Sequence, residues 1–215
     1  MKIKRYIAGI SLLLAANYSC SDMNDLHLKY LEEGEVIYAA KVDSVSPGPG
    51  DERLQLELFV TSQRVDYIRI YWSSGQDSLD IPIGNKTGIF KTILDNMPES
   101  EYLFELISFD KYGNKSLPFE VVGSSLGENY RKVLPNRRIE SISVNEDSVL
   151  EISWNYAIEN VTYTTLNYTD SSGKINAIEV KPDEMTTTIS DWEIGSKVTH
   201  NTTYLPSANA IDTFT

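Results

Sequence analysis

The sequence predicts an all-β protein of two tandem sandwiches behind a short apolar leader. Three observations carry that expectation. β-Branched and aromatic residues alternate with polar ones in short runs between turn clusters. No stretch beyond the leader holds a 3.6-residue apolar period. A second series of alternating runs begins after residues 129–138, so the pattern occurs twice.

Residues 1–19 read as a lipoprotein signal peptide. Met1 to Arg5 is a short basic segment, Tyr6 to Ala16 is an apolar run of secretory length, and Asn17-Tyr18-Ser19 leads into Cys20. The run turns polar at Asn17, short of the roughly 20 apolar residues that a spanning helix needs. Cys20 is the single cysteine of the chain. A free thiol is a liability in an oxidising compartment, whereas acylation accounts for both its number and its position. The segment resembles a lipobox, with Asn17 where an aliphatic residue is usual. Cys20-Ser21-Asp22-Met23-Asn24-Asp25 is similar to the acidic surface-export signal of Bacteroidota lipoproteins. These resemblances imply a membrane partner reached through lipid on Cys20, and a place on the outer face of the outer membrane. Each buried methylene contributes about 0.8 kcal/mol, so two or three acyl chains hold where one gives only marginal attachment. Residues 20–28 are polar and lack a strand pattern, so they read as a flexible tether.

Charge narrows the partners. The chain carries 19 basic and 31 acidic residues, a net charge of −12. Without residues 1–19 it keeps 16 basic residues against 31 acidic ones, or −15. Binding nucleic acid needs a basic footprint to displace counterions, and scattered Lys and Arg in so acidic a chain supply none. The acidity suits solubility at a crowded anionic surface.

Residues 29–128 read as the first sandwich. Glu35 to Val45 is a first strand, and Pro47-Gly48-Pro49-Gly50 breaks it. Leu54, Leu56, Leu58 and Val60 then alternate. In Tyr67 to Trp72, Ile68, Ile70 and Trp72 share one face and Tyr67, Arg69 and Tyr71 the other, as a strand with one buried side requires. Leu79 to Ile83, Ile89 to Leu94, Tyr102 to Phe109 and Phe119 to Val122 complete the unit. Residues 129–138 form a short Pro-containing linker that restricts the angle between the units. Residues 139–215 read as the second sandwich, with strands at Ile139 to Val144, Leu150 to Trp154, Val161 to Thr169, Ile175 to Val180, Thr186 to Ile189 and Val198 to Leu205.

Leu94-Asp95-Asn96-Met97-Pro98-Glu99-Ser100-Glu101-Tyr102-Leu103-Phe104-Glu105-Leu106 resembles the tyrosine corner and following strand of a fibronectin type III domain. The second unit has Trp154 on its second strand, as that family does, but Val198 where the corner tyrosine is expected. Gly34-Glu35-Val36-Ile37-Tyr38, Pro49-Gly50-Asp51-Glu52-Arg53, Asp110-Lys111-Tyr112-Gly113-Asn114, Asn136-Arg137-Arg138-Ile139 and Ala210-Ile211-Asp212-Thr213-Phe214 together resemble a two-sandwich region of Bacteroidota surface lipoproteins, often found beside glycan-uptake systems. That resemblance spans roughly residues 27–214. It implies an accessory role in binding or positioning glycan at the cell surface.

The residues offer little to catalysis. His27 and His200 are the only histidines, no Ser-His-Asp set is visible, and no His-x-x-x-His or Cys-x-x-Cys spacing exists for zinc. Neighbouring carboxylates such as Asp51/Glu52, Asp183/Glu184 and Asp191/Glu193 suit a glycosidase only if the fold faces two of them across a cleft about 5–10 Å wide. The expectation is therefore a protein that is not an enzyme and needs no cofactor or metal. The Asp110–Asn114 segment lacks the spacing of a calcium loop and reads as a turn closed by Gly113. Tyr67, Arg69 and Tyr71 form the candidate ligand face, because flat rings stack on sugars and Arg donates to hydroxyls. The alternative is a polar outward face that happens to hold two tyrosines. Asp43-Ser44-Val45, Asp77-Ser78-Leu79 and Asp147-Ser148-Val149 resemble an O-glycosylation tripeptide of Bacteroidota, which marks Ser44, Ser78 and Ser148. The partner is a polysaccharide or a surface protein. The rival to glycan binding is a structural spacer or adhesin subunit that meets a protein.

Overall fold

A computed structural model describes residues 37–215. The signal peptide, Cys20, His27 and the tether lie outside the described residues.

In the first sandwich, β1 (Ser44–Pro49), β2 (Arg53–Val60) and β5 (Gly88–Asp95) form a sheet in the order β1-β2-β5. It faces a sheet of β3 (Tyr67–Trp72), β4 (Asp77–Pro82), β6 (Ser100–Phe109) and β7 (Phe119–Ser125), in the order β4-β3-β6-β7. All these pairings are antiparallel. Such a three-on-four sandwich is the fibronectin type III arrangement. Leu54, Leu56, Leu58 and Val60 are wholly buried and meet Ile68, Ile70, Phe104 and Leu106 across the interior. Burying each such side chain contributes about 1.5–3 kcal/mol relative to exposure. The Tyr102 hydroxyl donates to the Pro98 carbonyl at 2.8 Å, closing the expected tyrosine corner.

The proline-rich segment departs from the expectation of a break. Pro47, Gly48 and Pro49 lie within β1, paired with Leu56, Gln55 and Leu54. β1 is an edge strand, where a missing N–H can face away from the ladder.

The second sandwich sets β12-β9-β8 (Thr186–Ile189, Leu150–Trp154, Ile139–Val144) against β11-β10-β13 (Ile175–Val180, Val161–Thr169, Thr199–Tyr204). Its core gathers Leu150, Ile152, Trp154, Leu166, Val180 and Ile189. Phe214 makes a single antiparallel bridge to Tyr204 beyond β13. The β10–β11 turn is built on Asp170, whose carboxylate accepts from the Ser172 hydroxyl (2.6 Å), the Asn176 amide (2.7 Å) and the N–H groups of Ser172 (2.9 Å) and Lys174 (3.1 Å). These donors, the Ser172 hydroxyl first, hold its pKa down at about 2. The depressed value fixes the sign: the turn's contribution is fully present above the ordinary carboxylate value of about 3.9 and is lost as pH falls through the folded one. The Asp170 carboxyl carbon, followed by NMR, should titrate near pH 2, and a midpoint near 4 would contradict this geometry.

Among the described residues one α-helix interrupts the strands. α1 (Glu128–Val133) occupies the predicted linker. Glu99, about 30 residues back in the chain, caps it by accepting from the N–H groups of Asn129 (2.8 Å) and Tyr130 (2.7 Å), which have no partner within the helix. The helix stops at Leu134, whose backbone is extended because Pro135 follows. Six residues are too few to register as an apolar period.

The C-terminal segment closes back on the first sandwich. The Ile211 N–H donates to the Pro49 carbonyl at 2.9 Å, and the Asn209 amide donates to the Pro47 carbonyl. The Asp212 carboxylate accepts from the Asp51 N–H (2.8 Å) and from Arg53 Nε (2.8 Å) and Nη2 (2.5 Å). Phe214 meets the Tyr130 ring edge-on at 5.0 Å, with the Arg131 guanidinium 5.2 Å from its centroid and Arg131 paired to Asp51. The Pro49–Arg53, α1 and Ala210–Phe214 segments thus form one joint.

Candidate functional site

The expected ligand face divides in two. Tyr67, Arg69 and Tyr71 share the outer face of β3, but Arg69 is already engaged: its Nε and Nη2 donate to both oxygens of Asp80, at 2.6 and 2.7 Å. This bidentate pair raises the Arg69 pKa, with a smaller contribution from Tyr71, and lowers that of Asp80. Tyr67 stacks on Phe109 at 4.5 Å with rings 4° from parallel, and the Arg69 guanidinium lies 5.8 and 5.7 Å from those two ring centroids. Tyr67 and Arg69 are thereby committed to each other and to the sheet.

Tyr71 lies at the other end of β3, where a groove of about 660 Å³ opens. The backbone makes the groove. β3 pairs with β6 only as far as Tyr71 opposite Glu105, and a tight turn at Ser73–Gly75 then swings the chain toward β4. Ser73 and Ser74 both adopt positive φ, 52° and 57°, in that turn. β6 continues to Ser100 with β7 alone beside it, so its edge over residues 100–104 borders the groove without a strand partner on that side. The walls are Tyr71, Trp72, Tyr102 and Leu103, with Glu101 and Glu105 at the rim. Trp72 and Tyr102 are both half-buried and both lean on Phe104, with centroids 6.4 and 6.1 Å away, which fixes their planes. Two rings held this way, with Tyr71 beside them, can stack on a flat apolar surface, and the strand edge can hydrogen-bond to hydroxyls.

The phase of Trp72 with Ile68 and Ile70 puts it in the core, and Tyr102 belongs to the corner. Both keep those contacts while lending an edge to the groove. The outward alternation of Glu101, Leu103, Glu105 and Ile107 along β6 was the signal available for the rim.

The remaining candidates are placed as follows. Ser44, Ser78 and Ser148 are all exposed. Ser78 stands opposite Tyr71 in the β3–β4 register, so a glycan on Ser78 would share the face of the groove. Asp110 accepts from the N–H groups of Tyr112 (2.9 Å) and Asn114 (3.0 Å) and from the Asn114 side chain (2.8 Å), which together lower its pKa, the Asn114 side chain most. Its oxygens serve the turn. His200 Nε2 bonds the Arg137 carbonyl at 2.9 Å, and its ring meets Trp154 edge-on. Of the neighbouring carboxylates, Asp51 pairs with Arg131, Glu184 accepts from Thr187 (2.6 Å) and Asp191 from Tyr168 (3.1 Å). Glu101 and Glu105 stand four residues apart on one strand, about 13 Å by strand rise, wider than the spacing of glycosidase pairs. No group of three or more His, Cys, Asp or Glu that could hold a metal occurs among the described residues. No helix among them is long and apolar enough to cross a membrane.

Fold and groove together define a tandem fibronectin type III-like protein that presents one aromatic groove on its first sandwich. The chain belongs to the DUF4998 family, a domain of unknown function, whose profile matches residues 20–214. No curated protein matches it. Among solved structures it is similar to the FN1–FN3 domains of chicken CNTN1, at 14% identity and a TM-score of 0.41, covering 82% of this chain and 66% of that one. It is similar to a two-domain fibronectin type III segment of chicken tenascin, at 19% identity and a TM-score of 0.35, covering 82% and 95%. It is also similar to the BSP domain of a biofilm-associated protein, at 14% identity and a TM-score of 0.31, covering 81% of this chain and 28% of that one.

Proposed function

We propose that this protein is a non-catalytic lipoprotein, anchored through Cys20 on the outer face of the outer membrane, that binds glycan in the Tyr71–Trp72–Tyr102 groove. The observation that carries the reading is the pair of ring planes, Trp72 and Tyr102, fixed against Phe104 beside an unpaired strand edge. Sugar rings offer an apolar face to such planes and hydroxyls to such an edge. The family resemblance to lipoproteins found beside glycan-uptake systems agrees with it.

Cells expressing the full chain and probed with a panel of labelled polysaccharides test both halves of the proposal. The native chain should retain at least one glycan on the cell. Tyr71→Ala/Trp72→Ala should stay on the cell and lose that glycan about tenfold, since aromatic contacts of this kind contribute about 0.5–1.5 kcal/mol each. Tyr67→Ala should keep it, because Tyr67 stacks within the sheet. Cys20→Ala should shed the protein into the medium. Retention of glycan by the double variant would remove the groove from the proposal, and shedding-resistant Cys20→Ala would remove the anchor.

A second reading, a rigid spacer or assembly subunit, is favoured by the joint. Three segments far apart in the chain lock there, as a stalk of fixed angle requires. Absence of any retained glycan would leave this reading as the better one.

A further inference from the structure

Among the described residues the second sandwich lacks a strand that the first one has. Its sheets are three on three, where those of the first sandwich are three on four. The open place is beside β13, at the edge of the β11-β10-β13 sheet, as β7 stands beside β6 in the first sandwich. β7 closes the edge of β6 there, and it also lies over β1, so close that a Cβ on Gly123 would be 2.9 Å from Pro47 Cβ. Val45 and Pro47, which stand opposite the buried Leu58 and Leu56 on the interior face of that sheet, are half-buried as a result.

No strand covers β8 in that way. Ile142 and Val144 stand opposite the buried Ile152 and Leu150, so they project from the interior face of their sheet. They are nevertheless 56% and 49% exposed. The edge of β13 is meanwhile held in part by substitutes for a strand. The Tyr204 N–H and C=O bond Phe214 (2.8 and 2.9 Å), and the Thr202 N–H donates to the side-chain oxygen of Asn136 (2.8 Å). Backbone groups alternate between the two edges of a strand, so His200 presents its N–H and C=O on the same open side. Phe214 and Thr215 already stand in the first two positions of a further strand: Phe214 bridges Tyr204 antiparallel, and the Thr203 and Thr215 hydroxyls meet at 3.1 Å.

We infer that β13 and the interior face of β8 accept a seventh strand from another protein, an extended segment that runs antiparallel to β13 and alternates apolar with small hydroxyl residues. Direction and register follow from Phe214 opposite Tyr204. The alternation follows from the two faces of β13. His200 meets the core tryptophan, Trp154, edge-on, so positions opposite Thr202 and His200 turn inward toward Ile142 and Val144. Positions opposite the exposed Asn201 and Thr199 turn to solvent, in line with Thr215. Backbone bonds to such an edge supply affinity, and the alternate side chains supply specificity. Every strand among the described residues is already paired, and in a second copy the same strands are committed in the same way. The inference rests on the assembly reading, to which it gives a partner class, and is independent of the groove on the first sandwich.

The test is an NMR titration of the full chain with a short synthetic peptide that alternates valine and threonine between terminal lysines, beside a peptide of the same composition with its valines adjacent. The alternating peptide is expected to bind at least about tenfold more tightly than its isomer, and to slow hydrogen exchange at the His200 N–H by at least about tenfold. Ile142→Ser/Val144→Ser should weaken binding at least about tenfold. The same variant should keep the thermal midpoint of the free chain within about 2 °C, because both side chains are exposed until the strand arrives. Tyr71→Ala/Trp72→Ala should bind the peptide unchanged, which separates this result from the glycan reading. Equal binding of the two peptides, binding that survives the double serine variant, or no binding at all would overturn the inference and leave the rigid-spacer reading standing. Self-association of the full chain in sedimentation, abolished by the double serine variant, would make the occupant a second copy and overturn the choice of partner.

Discussion

Replacing Arg137 with alanine should lower the stability of the second sandwich by about 3–5 kcal/mol, the range seen when a buried charged group loses its partners or leaves them unsatisfied. Arg137 is 5% exposed and sits where the chain enters that sandwich. Its Nε donates to the Asn155 carbonyl (2.8 Å), Nη1 to that of Lys181 (2.9 Å) and Nη2 to that of Glu184 (2.8 Å). The guanidinium also lies 5.5 Å from the Trp154 ring centroid. One side chain therefore ties the loop after β9 to the loop between β11 and β12 and covers the central tryptophan of the core. Burial is the largest influence on the group and pushes its pKa down, with the carboxylates of Glu184 and Asp183 acting in the opposite direction. A guanidinium remains charged regardless, so the cost of desolvation is met by the three carbonyls. Truncation orphans all three and exposes one face of Trp154. Arg137→Lys keeps the charge but not the planar fork, so it should recover less than half of the loss. Thermal unfolding reads the result as a fall in midpoint of more than about 10 °C for alanine. A fall of only a few degrees would show that water replaces the guanidinium without penalty.

Replacing Gly50 with valine should uncouple the two sandwiches. A Cβ at Gly50 would lie 2.6 Å from Asp212 Oδ2 and 2.7 Å from Ile211 Cγ1, closer than real contacts allow. At Gly48 the obstacle is the Asn209 carbonyl, which belongs to the backbone and cannot rotate away. Overpacking of this kind costs about 1–3 kcal/mol. Here it falls on the segment that joins the domains, so the Asp212 bonds to Arg53 and the Asp51 N–H should be lost together. The native chain is expected to unfold in one transition because its two cores share this joint. Gly50→Val should give two transitions, a larger radius of gyration in solution scattering, and rapid tryptic cleavage at Arg131 or Lys132, which α1 otherwise protects. A single unchanged transition would mean that the cores are coupled some other way. The same variant separates the functional readings, since a groove built wholly on the first sandwich keeps its glycan while a fixed-angle spacer loses its geometry.

Much of this architecture was legible without coordinates. The alternation of Leu54, Leu56, Leu58 and Val60, the phase of Ile68 and Ile70, and the Trp154 strand each depend only on period-two burial, which local sequence records. The corner at Pro98–Tyr102 is likewise local, four residues closed by one hydroxyl. Pro47-Gly48-Pro49 misled because the same residues signal a turn or an edge strand, and only the presence of β2 on one side of β1 and none on the other decides between them. The ligand face divided for a similar reason. Nothing near Arg69 in sequence announces that Asp80, across a strand pair, takes both of its donors, or that Phe109 takes the ring of Tyr67.

By itself, then, the sequence determined that the chain is all-β, that it is two sandwiches, and which residues line their cores. Tertiary structure alone decided the joint, the groove and the post at Arg137. Burial alternates with a period of two along any strand and can be read one residue at a time. Asp212 on Arg53, Glu99 on α1 and Arg137 on the Lys181 and Glu184 carbonyls pair residues that only the completed fold brings within 3 Å.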